Sequence, residues 1–302
     1  MKPIWGIDLG GTKIEAVVVD ADNRYQTIAR LRVPTEQEKG YEHIVSQIAK
    51  LIGMLKDETG LTPTKIGIGT PGALDPQLNT LKNSNTTCLI GKPLKDDVEK
   101  ALGLSILMAN DANCFALAEA RLGIVPDQVP NAEVVFGVIM GTGVGGGIVV
   151  HGKVLNGLQG IAGEWGHNFL DESGGLCYCG KTGCVETILS GPNLQRYYTS
   201  ISGEERKLKE IVERAQAGTD PHAAATLDRL VEFFGKGLAS IINLLDPDAI
   251  VLGGGVSNIG VLYDRGVAEV EKYVFNHKMY TPILRPKLGD SAGVFGAAML
   301  VE

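Results

Sequence analysis

The chain contains no apolar run of about 18 residues, so no membrane-spanning helix is expected. It also lacks an excess of positive charge. Its 28 Lys and Arg stand against 35 Asp and Glu, a net charge of −7, which excludes a broadly cationic surface for nucleic acid and leaves at most a local patch. It opens Met1-Lys2-Pro3-Ile4-Trp5 straight into a strand-like pattern, without the sections of a secretory leader. Cysteine is scarce, five residues in all, and the number is odd. That is no disulfide framework, and with no leader expected it points to the reducing cytoplasm. Two phosphate-binding signatures are missing too. There is no G-x-x-x-x-G-K-[ST] loop, and no dinucleotide fingerprint, because the first glycine pair is followed by a strand pattern rather than a helix.

The cysteines that are present form a pattern. His167 follows Glu164-Trp165-Gly166, and Cys177, Cys179 and Cys184 follow in a C-x-C-G-x-x-G-C run. Thiolates and imidazole suit Zn²⁺, and four protein ligands make a closed tetrahedral site with no position open for catalysis. Gly180 and Gly183 let the chain turn back so that Cys184 reaches a metal held by Cys177 and Cys179. Such a structural zinc would pin a loop with Glu164 and Glu186 at its ends. Cys88 and Cys114 are left over.

The 302 residues, 44% of them hydrophobic, suffice for one large domain or two smaller ones. Ile4 to Leu9, a turn at Gly10-Gly11-Thr12-Lys13 and Ile14 to Val19 predict a hairpin, with a third strand through Tyr25 to Val33. Apolar residues at 41, 44, 45, 48, 51, 52 and 55 predict an amphipathic helix over 41–58. Strands are predicted over Lys65 to Gly69 and Ile106 to Ala109. The latter ends at Asn110-Asp111, with Asp111 placed to cap a helix from Ala112 to Arg121. After about residue 122 the pattern restarts: strand Val134 to Met140, a glycine turn over 141–147, strand Ile148 to Val150. This reads as a weak internal duplication of the N-terminus. Helices over about 206–217 and 222–245, a strand Asp248 to Leu252 and a short helix from Gly293 to Val301 complete the chain. The mixture predicts an α/β protein of two lobes with a cleft between them. Residues 1–121 form the small lobe, rejoined by the C-terminal helix of about 290–302, and residues 122–289 form the large lobe carrying the metal site.

Glycine, at 40 residues, clusters at the ends of apolar runs rather than among serines, which suggests backbone approaching a ligand. The N–H groups of Gly10, Gly11, Thr12 and Lys13 could cradle phosphate oxygens, and Asp8 could hold Mg²⁺ directly or through water. Taken alone this motif reads equally as a plain hairpin. Gly141 to Gly147 supplies a second such turn, and Gly253-Gly254-Gly255 leaves room for a flat base or ribose. The three together favour a nucleotide. Asn83, Asn85, Asn110, Asp111, Glu164, His167 and Glu186 are polar groups of the kind that bind sugar hydroxyls, and a carboxylate near the reacting hydroxyl can accept its proton.

Over nearly its whole length the chain resembles the ROK family (repressor, open reading frame, kinase). The resemblance rests on Asp8 to Lys13, Asn110-Asp111-Ala112-Asn113, Gly141 to Gly147, Gly163 to His167, the Cys177 to Glu186 run and Gly253 to Gly255. It implies an actin-like (ribonuclease H-like) two-lobed ATPase fold and an ATP-dependent hexose kinase using Mg²⁺, with zinc as a structural ion and a homodimer as the assembly. It also implies roles. Asp111 is the general base, and Asn85, Asn110, Glu164, His167 and Glu186 bind the sugar, His167 turning one ring nitrogen to zinc and the other to a hydroxyl. Asp8, Gly10, Gly11, Thr12 and Lys13, with Gly141, Thr142 and Gly143, meet the phosphates and metal; Gly253, Gly254 and Gly255 face the adenosine. Lys82 to Thr87, Trp165 with Asn168, and Cys177 to Lys181 are most similar to the family's fructokinases and mannokinases, whereas its N-acetylglucosamine kinases usually carry Phe at the position of Trp165. Fructose, mannose or glucose is therefore the expected substrate, with N-acetylglucosamine as the alternative. A repressor of the family would carry a helix-turn-helix segment ahead of this body, which begins at Ile4, so an enzyme is expected rather than a DNA-binding protein.

Overall fold

Strands covered on both faces read as continuous apolar runs rather than alternations. The first strand is of this kind, with Ile4, Trp5, Ile7 and Leu9 all buried. The structure is a computed structural model that describes all residues, 1–302. In chain order it contains β1 (Pro3–Leu9), β2 (Lys13–Asp20), β3 (Gln26–Pro34), α1 (Tyr41–Thr59), β4 (Lys65–Thr70), β5 (Ala73–Asp75), β6 (Thr80–Lys82), α2 (Leu94–Leu102), β7 (Ser105–Asn110), α3 (Asp111–Arg121) and α4 (Val125–Gln128). Then follow β8 (Val134–Met140), β9 (Val144–Val150), β10 (Lys153–Val154), α5 (Glu186–Leu189), α6 (Gly191–Ser202), α7 (Leu208–Gln216), α8 (Pro221–Leu245), β11 (Ala249–Gly253), α9 (Arg265–Glu271), β12 (Ile283–Leu284) and α10 (Ala292–Met299). No helix is long and apolar enough to cross a membrane.

The chain divides into two units. Residues 1–130, 147–163 and 287–302 make the first, and residues 131–146 and 164–286 the second. The two five-stranded sheets have the orders β3-β2-β1-β4-β7 and β10-β9-β8-β11-β12. The duplication read from sequence is visible in these orders. In each sheet a hairpin and a third antiparallel strand lie to one side of the leading strand, and two later strands run parallel to it on the other.

In the first unit, α1 packs its stripe of Ile44, Ile48, Leu51, Ile52 and Leu55 against the sheet, together with Trp5, Ile7, Ile66 and Ile68. α10 covers the other face, with Val294, Ala298 and Val301 on Ile4, Val17 and Val19. Here the backbones themselves touch. A Cβ on Gly6 would lie 2.3 Å from Ala298 N, and one on Gly67 would lie 1.8 Å from Ala297 O, so only glycine permits this approach. The fully buried Glu119 fastens the returning chain by accepting the N–H groups of Lys287, Leu288 and Ile124.

Two segments group differently from the expected lobes. Residues 122–130 continue the first unit, and residues 147–163 also pack with it rather than within a continuous 122–289 body. The reason is that Gly147 backs onto α3, where a Cβ would meet Ala112 O at 2.6 Å, and β10 follows it onto the same helix. A second difference concerns the turn predicted over 141–147. It spans only Gly141 to Gly143, and Gly145, Gly146 and Gly147 already belong to β9.

In the second unit the 25-residue α8 is the main covering helix. Asp220 caps it by accepting from His222 and Ala223 N–H, with Pro221 at its first position, and Leu230, Phe234, Leu238 and Ile242 are buried. Asp220 is held in turn by the Tyr198 hydroxyl at 2.7 Å.

Candidate functional site

Ligand sites of open α/β sheets gather outside the carboxyl ends of parallel strands. In the first unit β1, β4 and β7 are parallel neighbours, with Asp8 registered to Gly69 and Thr70 to Asn110. Their carboxyl ends thus bring Asp8, the Gly10–Lys13 turn, Asn110 and Asp111 to one edge. The loop after β6 joins them: Asn85 N–H donates to Pro71 O at 3.3 Å, and the exposed Asn85 sits just past the end of β4.

Gly10 N–H closes the hairpin on Lys13 O at 3.0 Å, and Thr35 fastens the turn from outside through Gly10 O and Thr12 O. The space over Gly11 is open, since a Cβ there would come no closer than 3.5 Å, to Thr86 Oγ1. Thr12 and Lys13 are exposed. Asp8 is mostly buried, its carboxylate against Gly293 in the first turn of α10. Burial pushes its pKa up to about 6, helped by the carboxylates of Asp111 and Glu15 and opposed by Lys13. Lys13 also pairs at 3.6 Å with Glu15, a buried carboxylate that Arg30 and Arg32 neutralise. Sequence reasoning passed over Glu15, because one acid within an apolar strand carries no signal of its cross-strand partners.

The helix cap falls on a different residue from the one expected. Asn110, not Asp111, caps α3, its Oδ1 accepting Asn113 N–H at 2.8 Å. Asp111 is already the first helical residue and exposed, with Oδ1 near its neighbour's N–H, Ala112 N, at 2.8 Å. The cap position requires extended backbone, which Asn110 has (ψ 164) as it leaves β7. Asn110, expected among the sugar ligands, therefore has its amide oxygen engaged.

In the second unit β8 and β11 are parallel neighbours, with Ile139 opposite Gly253, so the turns that follow them lie side by side. Gly255 N is 4.0 Å from an ideal Cβ on Gly141. Gly254 takes a left-handed φ of 81°, and a Cβ there would strike Met140 O at 2.3 Å. Thr142, Gly254 and Gly255 are exposed, as a ligand-facing turn requires.

The ligand atoms of His167, Cys177, Cys179 and Cys184 all lie within 4.8 Å of one another. Cys179 Sγ to Cys184 Sγ is 3.6 Å, and Cys177 Sγ to His167 Nδ1 is 3.6 Å. Two sulfurs on a tetrahedral zinc, each about 2.3 Å from it, lie about 3.8 Å apart. The donor set therefore fits zinc in spacing as well as in chemistry. Gly180 (φ 86°) and Gly183 (φ 76°) make the backward turn, and at Gly183 a Cβ would collide with Asp171 O at 2.6 Å. His167 Nδ1 faces the sulfurs and Nε2 lies 3.0 Å from the Tyr178 hydroxyl, so zinc on Nδ1 would leave the proton on Nε2, able to donate to that hydroxyl. Tyr178 entered the sequence reading only as part of the Cys177 to Lys181 run, without a role of its own.

Glu164 lies in the same region, and its pKa is raised. Burial is the main cause; His167 pulls it down and the Glu186 carboxylate pushes it up. Glu186, at the start of α5, accepts Val144 N–H through Oε2 at 2.9 Å. Trp165, by contrast, is only 2% exposed and stands edge-on to Phe136 at 6.3 Å between ring centroids. It is a core side chain, so its identity says nothing direct about a bound sugar.

The chain has relatives among known proteins. N-acetyl-D-glucosamine kinases of Aliivibrio salmonicida and Vibrio parahaemolyticus are 36% and 37% identical to this chain over 306 residues, covering 98% of each partner in the alignment. Among solved structures, the ROK hexokinase of Thermus thermophilus superposes with a TM-score of 0.88 at 33% identity, covering 99% of this chain and 97% of that one. A ROK family glucokinase from Streptomyces griseus, in complex with glucose and AMPPNP, gives 0.77 at 32% identity, covering 99% and 98%. The sequence model of the ROK family matches residues 4–302, so both sheets, all three glycine turns and the cysteine knuckle fall inside a single pattern, and the chain belongs to the ROK family.

Proposed function

We propose that the protein is an ATP-dependent sugar kinase and that its preferred sugar is N-acetylglucosamine. The observation that carries the kinase reading is the convergence of Asp8, the Gly10–Lys13 turn and Asp111 at the carboxyl ends of β1 and β7, an exposed carboxylate beside an open glycine turn. The turns after β8 and β11, with Thr142, Gly254 and Gly255 exposed, are suited to meet a nucleotide as well.

In this reading Asp111 takes the proton of the attacking sugar hydroxyl. Phosphoryl transfer passes through a loose transition state, so the hydroxyl becomes acidic only late, and an ordinary carboxylate suffices as base. Mg²⁺ bound with the nucleotide would supply charge neutralisation between the phosphates, and Asp8 is the residue that would hold it. The N–H groups of Gly11 and Thr12 and those of Thr142 and Gly143 would orient phosphate oxygens. Glu164, His167 and Asn85 would hydrogen-bond hydroxyls that do not react, with the Tyr178 hydroxyl sharing or yielding Nε2 of His167. Zinc on His167, Cys177, Cys179 and Cys184 would fix the loop and the ring's tautomer.

The expectation of fructose, mannose or glucose leaned on residues 82–87, 177–181 and Trp165 with Asn168; Trp165 is a core residue, and the curated relatives at 36% and 37% identity are N-acetyl-D-glucosamine kinases, which support the alternative better. Glucose is the second reading, supported by the Streptomyces griseus glucokinase at 32% identity. Comparing kcat/KM for N-acetylglucosamine, glucose, mannose and fructose tests the choice. The proposal expects N-acetylglucosamine to rank first, and a clear lead for glucose would replace it.

A further inference from the structure

Glu186 was expected to meet the sugar, and one of its carboxylate oxygens is already engaged elsewhere. Oε2 accepts Val144 N–H at 2.9 Å, at the point where the Gly141–Gly143 turn becomes β9. A Cβ on Gly143 would lie 2.5 Å from that same oxygen, so the carboxylate rests directly on the last glycine of the turn. The other end is fastened by the same stretch of chain, since Gly191 N–H donates to Gly141 O at 2.8 Å. Asn193 braces the stretch, its amide donating to Glu186 O and Ser190 Oγ, both at 2.7 Å. Residues 186–191 therefore form a bracket whose two ends hold the two ends of the turn.

The turn needs such help. Internally it has one backbone hydrogen bond, Gly141 N–H to Gly143 O at 2.8 Å. Glycines lose the most backbone freedom on ordering, so a turn built of them is held in shape only by bonds from outside. An ionised acceptor makes the stronger kind of bond to a backbone N–H.

We propose that Glu186 is a positioning residue for the phosphate turn, holding Gly141–Gly143 in the arrangement that receives a nucleotide whether or not sugar is present. This rests on the reading that the turn meets the phosphates of ATP. The role makes a prediction of opposite sign to simple electrostatics. A carboxylate near phosphates repels them, so if Glu186 acted only through its charge, or only on the sugar, removing it would tighten nucleotide binding or leave it alone. A positioning residue loosens binding when removed.

The test is calorimetric binding of Mg²⁺ and a non-hydrolysable ATP analogue to the full-length protein without sugar. Glu186→Ala should weaken binding about tenfold, the loss expected from deleting one hydrogen bond to a charged group. Glu186→Gln keeps an acceptor oxygen at the same reach and should stay within about threefold of wild type. Glu186→Asp keeps the charge but loses the reach, and should resemble Ala. If the Ala variant does not fold, as judged by its melting transition, the contrast between Gln and Asp carries the test alone. Unchanged or tighter binding in the Asp and Ala variants overturns the positioning role while leaving the kinase reading intact. A wild-type protein that binds no nucleotide overturns both.

Discussion

Asp8 gives the clearest test of how this fold carries its chemistry. Its carboxyl is mostly buried, and burial, with the charges of Asp111 and Glu15, moves its pKa from the ordinary 3.8 to about 6. At about 1.4 kcal/mol per tenfold change in proton affinity, that difference makes the ionised group unfavourable by about 3 kcal/mol relative to the unfolded chain. The sign follows directly. Below pH 4 Asp8 is protonated in both states and contributes no penalty. Between the two pKa values the native state binds more protons than the unfolded one, so its contribution to stability falls as pH rises, and the full penalty is present above about pH 6. Asp8→Asn removes the charge and little else. Urea denaturation of both proteins at pH 4 and pH 8 should show the variant more stable by up to about 3 kcal/mol at pH 8, with the advantage shrinking toward zero at pH 4. Activity should be lost in the same variant, because a fold tolerates such a carboxylate only where function requires it. Equal stabilities at pH 8, or an advantage that persists unchanged in acid, would refute the burial argument.

The other predictions concern the remaining parts of the site. Metal analysis should find zinc in the purified protein, and either chelator or Cys179→Ser should lower the melting temperature and the activity together; a metal-free preparation of full stability would remove zinc from the account. Gly11→Val should raise the KM for ATP while leaving the melting temperature nearly unchanged, since a Cβ there meets nothing closer than 3.5 Å; normal ATP kinetics would take this turn out of the site. Asp111→Asn should cut kcat by about 10²–10⁴ with much smaller change in sugar affinity. The capping explanation no longer competes, because Asn110 holds the cap, and near-normal turnover in the variant would dismiss Asp111 as base.

The parts of the site legible in the sequence were those whose geometry is local. The cysteine knuckle is one short segment with glycines where the chain must reverse, so spacing alone located Cys177, Cys179 and Cys184 and the turn that unites them. The hairpin at Gly10-Gly11 and helix α1 were equally plain, each fixed by a run of consecutive residues. What failed depended on neighbours distant in sequence. Gly145 to Gly147 were read as part of a turn but belong to β9, and Gly147 is glycine because Ala112 presses on it. α2 and α6 were not read from the sequence; their buried residues are Leu94 and Val98 in one and Gly191, Leu194 and Tyr198 in the other. Trp165 was read as a mark of substrate choice, whereas its ring fills space beside Phe136. The engagement of Glu186 with the Gly141–Gly143 turn was invisible for the same reason, since nothing near either in sequence points to the other.

Gly143 illustrates how a substitution can give the expected result for a different cause. If the turn cradles phosphate, a larger side chain there would be expected to occupy the space of a phosphate oxygen. Its Cβ would instead displace the Glu186 carboxylate, 2.5 Å away, so the loss of nucleotide affinity would come through the bracket around the turn.

The central claim is that this protein moves the terminal phosphoryl group of ATP onto a sugar hydroxyl. Mass spectrometry of the sugar after incubation with the purified protein and MgATP tests it most directly. The account predicts N-acetylglucosamine gaining the mass of one phosphoryl group, in step with ADP release, and no such gain with Asp111→Asn over the same period. Sugars of unchanged mass across N-acetylglucosamine, glucose, mannose and fructose, with or without ATP consumption, would contradict it.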